Sequence, residues 1–161
     1  MKKYLYSAIL TLMLIVFAGF INVKSGVDDK ESIKKFVTTY IEDCNSPGWA
    51  EAAKNKYKWN EDGIREHQLF RESFPDFKIK IKHLVVDGNE VVMWGEMSGT
   101  HVKEFPRGEL AGFKATNKTI TWNEIWHFKI ENGEFAGDWD WAIDGVWRMK
   151  QLGLKCLPEN F

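Results

Sequence analysis

The sequence predicts an α+β domain, with helices first and then an antiparallel meander of strands on which they pack. Three observations carry this reading. Between residues 28 and 45 the apolar residues recur at three- and four-residue steps. From Phe77 onward they alternate with polar ones. Two tight-turn signals, Asp87-Gly88-Asn89 and Asn132-Gly133, then punctuate the alternating part. At 161 residues, with no repeat, low-complexity tract or linker, a single domain is expected.

The first 25 residues are set apart from that domain. Lys2 and Lys3 precede an uncharged run from Tyr4 to Ile21, and Val23, Ser25 and Gly26 suit a cleavage site. The run also reaches the roughly 17–25 residues that span a bilayer, so an uncleaved anchor is the alternative. Either way residues 26–161 are expected outside the cytoplasm, periplasmic, secreted or tethered by this segment. Membrane contact is expected through it alone.

Each later element has its own signal. Residues 28–45 carry Ile33, Phe36, Val37, Tyr40, Ile41 and Cys44 on one stripe, with Asp28 and Glu31 spaced as a capping box. Ser46-Pro47-Gly48 ends this helix. Shorter helices are predicted over Trp49 to Lys56 and over Gly63 to Phe74, the latter stopped by Pro75. Phe77, Ile79 and Ile81 alternate with Lys78, Lys80 and Lys82 as a half-buried strand. The Asp87-Gly88-Asn89 turn leads into VVMWGEMSGTH, and a loop covers Lys103 to Asn117. Lys118 to Glu131 form a long strand, and Asn132-Gly133 turns it into GEFAGDWDWAIDG. GVWRMKQLG closes the domain as a short helix capped by Asp144.

Composition excludes several functions. The formal charge is −1, and loss of Lys2, Lys3 and Lys24 with the leader leaves a mildly acidic remainder without blocks of like charge. Nucleic acid is therefore not the expected partner. There is no Gly-rich phosphate loop and no GxSxG elbow. His67, His83, His101 and His127 lack metal-ligand spacing, so neither metal nor cofactor is expected. His83 and His101 read as surface or strand-end residues, and His67 as a satisfied or solvent-facing residue of the third helix. Cys44 and Cys156 either pair across nearly the whole domain or remain buried thiols.

What remains is the last hairpin. Alternation groups Trp122, Glu124 and Trp126 with Phe128 and Ile130 on one face. In the next strand it puts Asp138 and Asp140 on one face and Trp139 and Trp141 on the other. The turn is expected to set both aspartates beside Glu124 and Trp126. A carboxylate among indoles is desolvated, which raises its pKa toward the range useful for acid/base work. The alternative is that both aspartates face water while the two indoles supply core.

An ordered series of segments resembles the SnoaL-like polyketide cyclase group, often labelled ester cyclases, of the nuclear transport factor 2-like superfamily. FPDF at 74–77 is similar to the family's FPDL-type strand start, and DGNEVVMWGEMSGTH at 87–101 to its turn, strand and Gly-Thr-His signature. GFKATNKTITW at 112–122 resembles GIPPTGKRVTF, FKIENGEFAGDWD at 128–140 resembles FRVEDGKIVEHWD, and QLG at 151–153 a usual ending. The resemblance implies a cone-shaped fold, helices on a curved, mainly antiparallel sheet enclosing a pocket, commonly in homodimers. It also implies cofactor-free acid/base chemistry, with Asp140 matching the family's late-strand acid/base aspartate. Asp138 and Glu124 are then its neighbours, and Trp94, Trp122 and Trp126 form pocket walls. The departures are Asn117 for the turn glycine, Lys114-Ala115 for Pro-Pro, Trp126 where a polar side chain is usual, and a short KNKYKWNEDG segment between helices. Three functions follow: a small-molecule acid/base enzyme such as a cyclase or isomerase, a non-catalytic binder of an apolar or aromatic ligand, and a dimeric interaction module.

Overall fold

A computed structural model of the chain describes residues 29–106 and 111–153. The predicted leader, Cys156 and the predicted alternative of a Cys44–Cys156 bridge lie outside these residues. Among the described residues no helix is long and apolar enough to cross a membrane.

The chain order is helices α1 (Lys30–Cys44), α2 (Trp49–Asn55) and α3 (Glu61–Ser73), strands β1 (Lys78–Asp87), β2 (Glu90–Thr100), β3 (Thr119–Glu131) and β4 (Glu134–Ile143), then helix α4 (Gly145–Leu152). The predicted α+β architecture is present, its four strands forming one antiparallel sheet in the order β1-β2-β3-β4. Helix α1 begins at a cap one residue later than the spacing suggested. Asp29 is that cap and accepts from the amides of Glu31 and Ser32 at 2.9 and 3.0 Å, while the expected Asp28 lies outside the described residues. Asn60 caps α3 through the Gly63 amide at 2.7 Å. Asp144 caps α4 as predicted, accepting from the Trp147 amide at 3.2 Å.

The core lies between the concave sheet face and α1. Ile33, Val37, Tyr40 and Ile41 from α1 meet Val91, Met93, Met97, Trp122, Phe128 and Ile130 from the strands, all nearly inaccessible to water. Burial of such side chains, at about 1.5–3 kcal/mol each, is the main force holding helices to sheet.

Two of the family-like segments prove to be one latch. Phe74 stacks on His101 with centroids 5.1 Å apart, and a Cβ on Gly99 would approach the Phe74 Cβ to 3.1 Å, which is why that position has none. Asp76 accepts from the Thr100 amide at 2.6 Å and its hydroxyl at 2.7 Å. FPDF and Gly-Thr-His thus hold the start of the sheet to the end of β2. His101 is fully buried here, not the surface residue its sequence position suggested. Asn117 takes φ 53°, the left-handed conformation that the glycine it replaces would adopt freely.

Both hairpins form where predicted. Asn132 and Gly133 both have positive φ, 54° and 74°, in a two-residue turn that pairs Glu131 with Glu134. Farther along, Gly137 at φ 67° opens a bulge, and Phe128 alone faces the stretch Gly137-Asp138-Trp139.

Candidate functional site

The space between α1, α3 and the concave face of β3 and β4 is a cavity of about 530 Å³. Its sheet wall is built by alternation: Glu124 and Trp126 on β3, then Trp139 and Trp141 on β4. Its helix wall comes from Tyr40 and Cys44 on α1 and from Glu66, His67 and Phe70 on α3. Trp59, from the short segment between helices, closes one side, and Arg148 of α4 another.

Glu124 is held by its strand neighbours. The Trp122 indole donates to its Oε1 and the Trp126 indole to its Oε2, both at 2.8 Å. Residues i−2, i and i+2 of a strand share a face, so this clamp follows directly from the Trp-x-Glu-x-Trp spacing. Hydrogen bonds to an ionised acceptor are stronger than neutral ones, and two of them fix the carboxylate's plane. The Arg148 guanidinium, itself 6% exposed, lies over the Trp122 ring at 5.5 Å and brings a positive charge to the same wall.

His67 lines the opposite wall. Arg71, one turn along α3, donates from Nε to His67 Nε2 at 3.0 Å. Burial first, and then the Arg71 charge, push the imidazole down to about 4, so it is neutral at pH 7. Burial pushes the Cys44 thiol up to about 11 and keeps it protonated.

The predicted site residues divide. Glu124 and Trp126 line the cavity, and Trp122 lies buried directly beneath, holding Glu124. Trp94 does not reach it: the residue is 40% exposed on the convex face, where its indole donates to Asn123 at 3.1 Å. Asp138 and Asp140 also lie outside, exposed on the convex face. The expected parity was inverted. A two-residue turn that pairs Ile130 with Phe135 gives odd-numbered β4 residues the face of even-numbered β3 residues. The bulge shifts the register by two and preserves that parity, so Trp126 faces Trp141 while Asp140 faces His127. The cavity residues that sequence reasoning passed over include His67, Trp59, Trp139 and Trp141. The turn register would have revealed the last two.

The match to known proteins agrees with this frame. The model of the family described as SnoaL-like polyketide cyclase matches residues 29–152. The chain belongs to that family. Solved structures with the same SnoaL-like fold include TsrD from Streptomyces laurentii, 20% identical over 78% of this chain and 98% of that one, with a TM-score of 0.61. A protein from Acidithiobacillus ferrooxidans assigned as a polyketide cyclase is 21% identical over 78% and 97% of the two chains, with a TM-score of 0.62. A SnoaL-like polyketide cyclase from Agrobacterium tumefaciens is 16% identical over 74% and 97%, with a TM-score of 0.57. Among curated proteins none matches significantly. At these identities the structural likeness establishes the SnoaL-like fold, and the site has to be argued from this chain's own residues. Among the described residues no group of three or more His, Cys, Asp or Glu side chains could hold a metal ion.

Proposed function

We propose that this SnoaL-like domain binds a flat, apolar or aromatic small molecule in the cavity and uses Glu124 as its acid/base group. The observation that carries the reading is a carboxylate clamped by two indole N–H donors in an aromatic-walled cavity of about 530 Å³. Aromatic walls exclude water and hold a planar ligand, while a positioned carboxylate removes an acidic C–H proton without a metal. The chemistry that fits is cofactor-free proton transfer of the cyclisation or isomerisation type. In this role Glu124 takes the place that the family resemblance gave to Asp140. The leader segment supports placement outside the cytoplasm.

The test uses 2-tetralone, an aromatic ketone with an acidic C–H beside its carbonyl. In heavy water, Glu124 takes that proton, exchanges it with solvent and returns deuterium. Exchange followed by proton NMR should exceed the buffer rate by about a hundredfold or more. Glu124→Gln should abolish the excess while retaining fluorene binding, read by indole fluorescence. Binding without any exchange in the wild type would leave a ligand carrier and remove the enzyme. No binding of either compound would remove the pocket reading itself.

A second reading concerns the convex face, where Val85, Val92, Trp94 and Ile125 are each at least 40% exposed. Register sets Val85 beside Val92 and Trp94 beside Ile125, a contiguous apolar stripe. We propose that a second copy of the chain covers it. Sedimentation should show a dimer that Trp94→Glu converts to monomer without loss of secondary structure.

A further inference from the structure

We propose that His67 is the ligand-orienting donor of the cavity, its Nδ1–H bonding the carbonyl oxygen of an aromatic ketone. This rests on the cavity being a ligand site and goes further by naming the group that the ligand carries.

The tautomer follows from the partner. An arginine Nε–H can only donate, so His67 Nε2 can only accept, and the proton of the neutral ring sits on Nδ1. The arginine is itself fixed. Its guanidinium donates to the Cys44 carbonyl and lies over the Trp49 and Phe77 rings, 5.3 Å from each. The imidazole is held between rings, edge-on to Trp49 at 4.7 Å, Trp59 at 5.7 Å and Phe77 at 5.9 Å. Neither orientation nor tautomer is therefore free to change.

Nδ1 has no hydrogen-bond partner among the described residues, yet it is not one of their fully enclosed unpartnered side-chain atoms. It borders open space, and the space that His67 lines is the cavity. A ligand that displaces water from this N–H keeps its affinity only if it brings an acceptor in exchange, and a ligand oxygen does so. Protonation would place a second N–H against Arg71, and burial opposes it as well, so the group offers one neutral donor throughout the physiological range. Such a donor suits a carbonyl oxygen, and suits it better as that oxygen becomes enolate-like when Glu124 on the facing wall takes the adjacent proton. A hydrocarbon would leave the N–H unpaired. A protonated amine has no lone pair to offer it.

The experiment compares 9-fluorenone with fluorene, two planar tricyclic molecules that differ by a carbonyl oxygen. Binding of each to wild type and to His67→Phe is read by quenching of indole fluorescence. The ratio of fluorenone to fluorene affinity should fall about 3- to 10-fold in the variant, the worth of one neutral hydrogen bond. A second measurement needs no variant. Nitrogen NMR of imidazole-labelled wild-type protein should show the proton on Nδ1, and fluorenone but not fluorene should shift its resonance. An unchanged ratio, or a proton on Nε2, overturns the assignment of His67 while leaving the pocket reading intact. Failure of the wild type to bind either compound overturns both.

Discussion

The last hairpin has two faces, and they treat the same chemistry in opposite ways. On the concave face Glu124 is gripped by two indole donors, with an arginine stacked on one of them. On the convex face Asp140 is 88% exposed, 3.6 Å from a ring nitrogen of His127. His127 in turn lies 2.9 Å from Glu90, which Lys129 also pairs at 2.7 Å. The convex group has more charged partners than the concave one, yet water screens them all. An exposed pair is worth about 0–1 kcal/mol, because solvent solvates each charge nearly as well as its partner does. The concave carboxylate has few alternatives to its indoles and is therefore fixed in place. A count of acidic residues does not locate an acid/base site. The lining of the face on which they stand does.

The sharpest way to break the comparison is to remove a tryptophan from each environment. Trp122 is 1% exposed and packs on Phe74 and Phe77, while Trp141 is 70% exposed at the cavity rim. Trp122→Ala should cost about 3–5 kcal/mol, from the cavity it leaves and the freed Glu124 oxygen. Trp141→Ala should stay within about 1 kcal/mol. Urea unfolding of the two variants checks both. A cost for Trp141 as large as that for Trp122 would mean that the rim is covered, for example by a second chain.

That difference was only half legible in the sequence. Alternation in KTITWNEIWHFKI assigned Trp122, Glu124 and Trp126 to one inward face, and the structure agrees, because a strand of this length has no other way to bury two indoles. Asn132-Gly133 fixed the turn, and from it the parity of β4 could have been read. Alternation alone left both parities open, and the family resemblance at Asp140 favours the one that the register of β4 excludes. His67 was less accessible to reading. Its apolar surroundings come from Trp49, Trp59 and Phe77, on three different segments, and its partner Arg71 is one of many charged residues on α3. Nothing in local periodicity distinguishes that arginine from its solvated neighbours. The latch of Asp76 on Thr100 shows the same limit, since two motif-like pieces far apart in sequence are explained only by their contact.

A second test uses the buried histidine. His67 titrates at about 4 in the folded protein, below the 6.5 of a free imidazole, so the unfolded chain binds its proton first. Its contribution is fully present above pH 6.5 and is lost as pH falls toward 4, with burial and Arg71 opposing the charge. At about 1.4 kcal/mol per pH unit, this amounts to about 3 kcal/mol. Glu66 on α3, Cys44 and Tyr40 on α1, Glu124 on β3 and Arg148 on α4 line the same cavity, and Arg71 bonds the imidazole directly from outside it. His101, also lowered by burial, adds in the same direction. Unfolding free energies of wild type and His67→Gln between pH 7 and pH 4 should therefore diverge, with the shallower slope in the variant. Parallel slopes for wild type and His67→Gln would mean that water reaches the imidazole.

The smallest expected effect is the most direct check of which face carries the chemistry. Asp140→Asn removes a charge that stands 3.6 Å from His127 and is otherwise bathed in solvent. The amide keeps the size and one acceptor, and the convex face needs neither for packing. Stability should change by no more than about 0.5 kcal/mol, as for surface substitutions away from special contacts. Exchange of 2-tetralone should be unaltered, because the indole-clamped Glu124 faces the other way. A loss of exchange in Asp140→Asn with folding intact would return the acid/base role to the aspartate that the family resemblance marked. The sheet would then have to present its convex face to substrate, through an assembly in which a second chain closes over Trp94 and Ile125 and makes a dry site where water now stands.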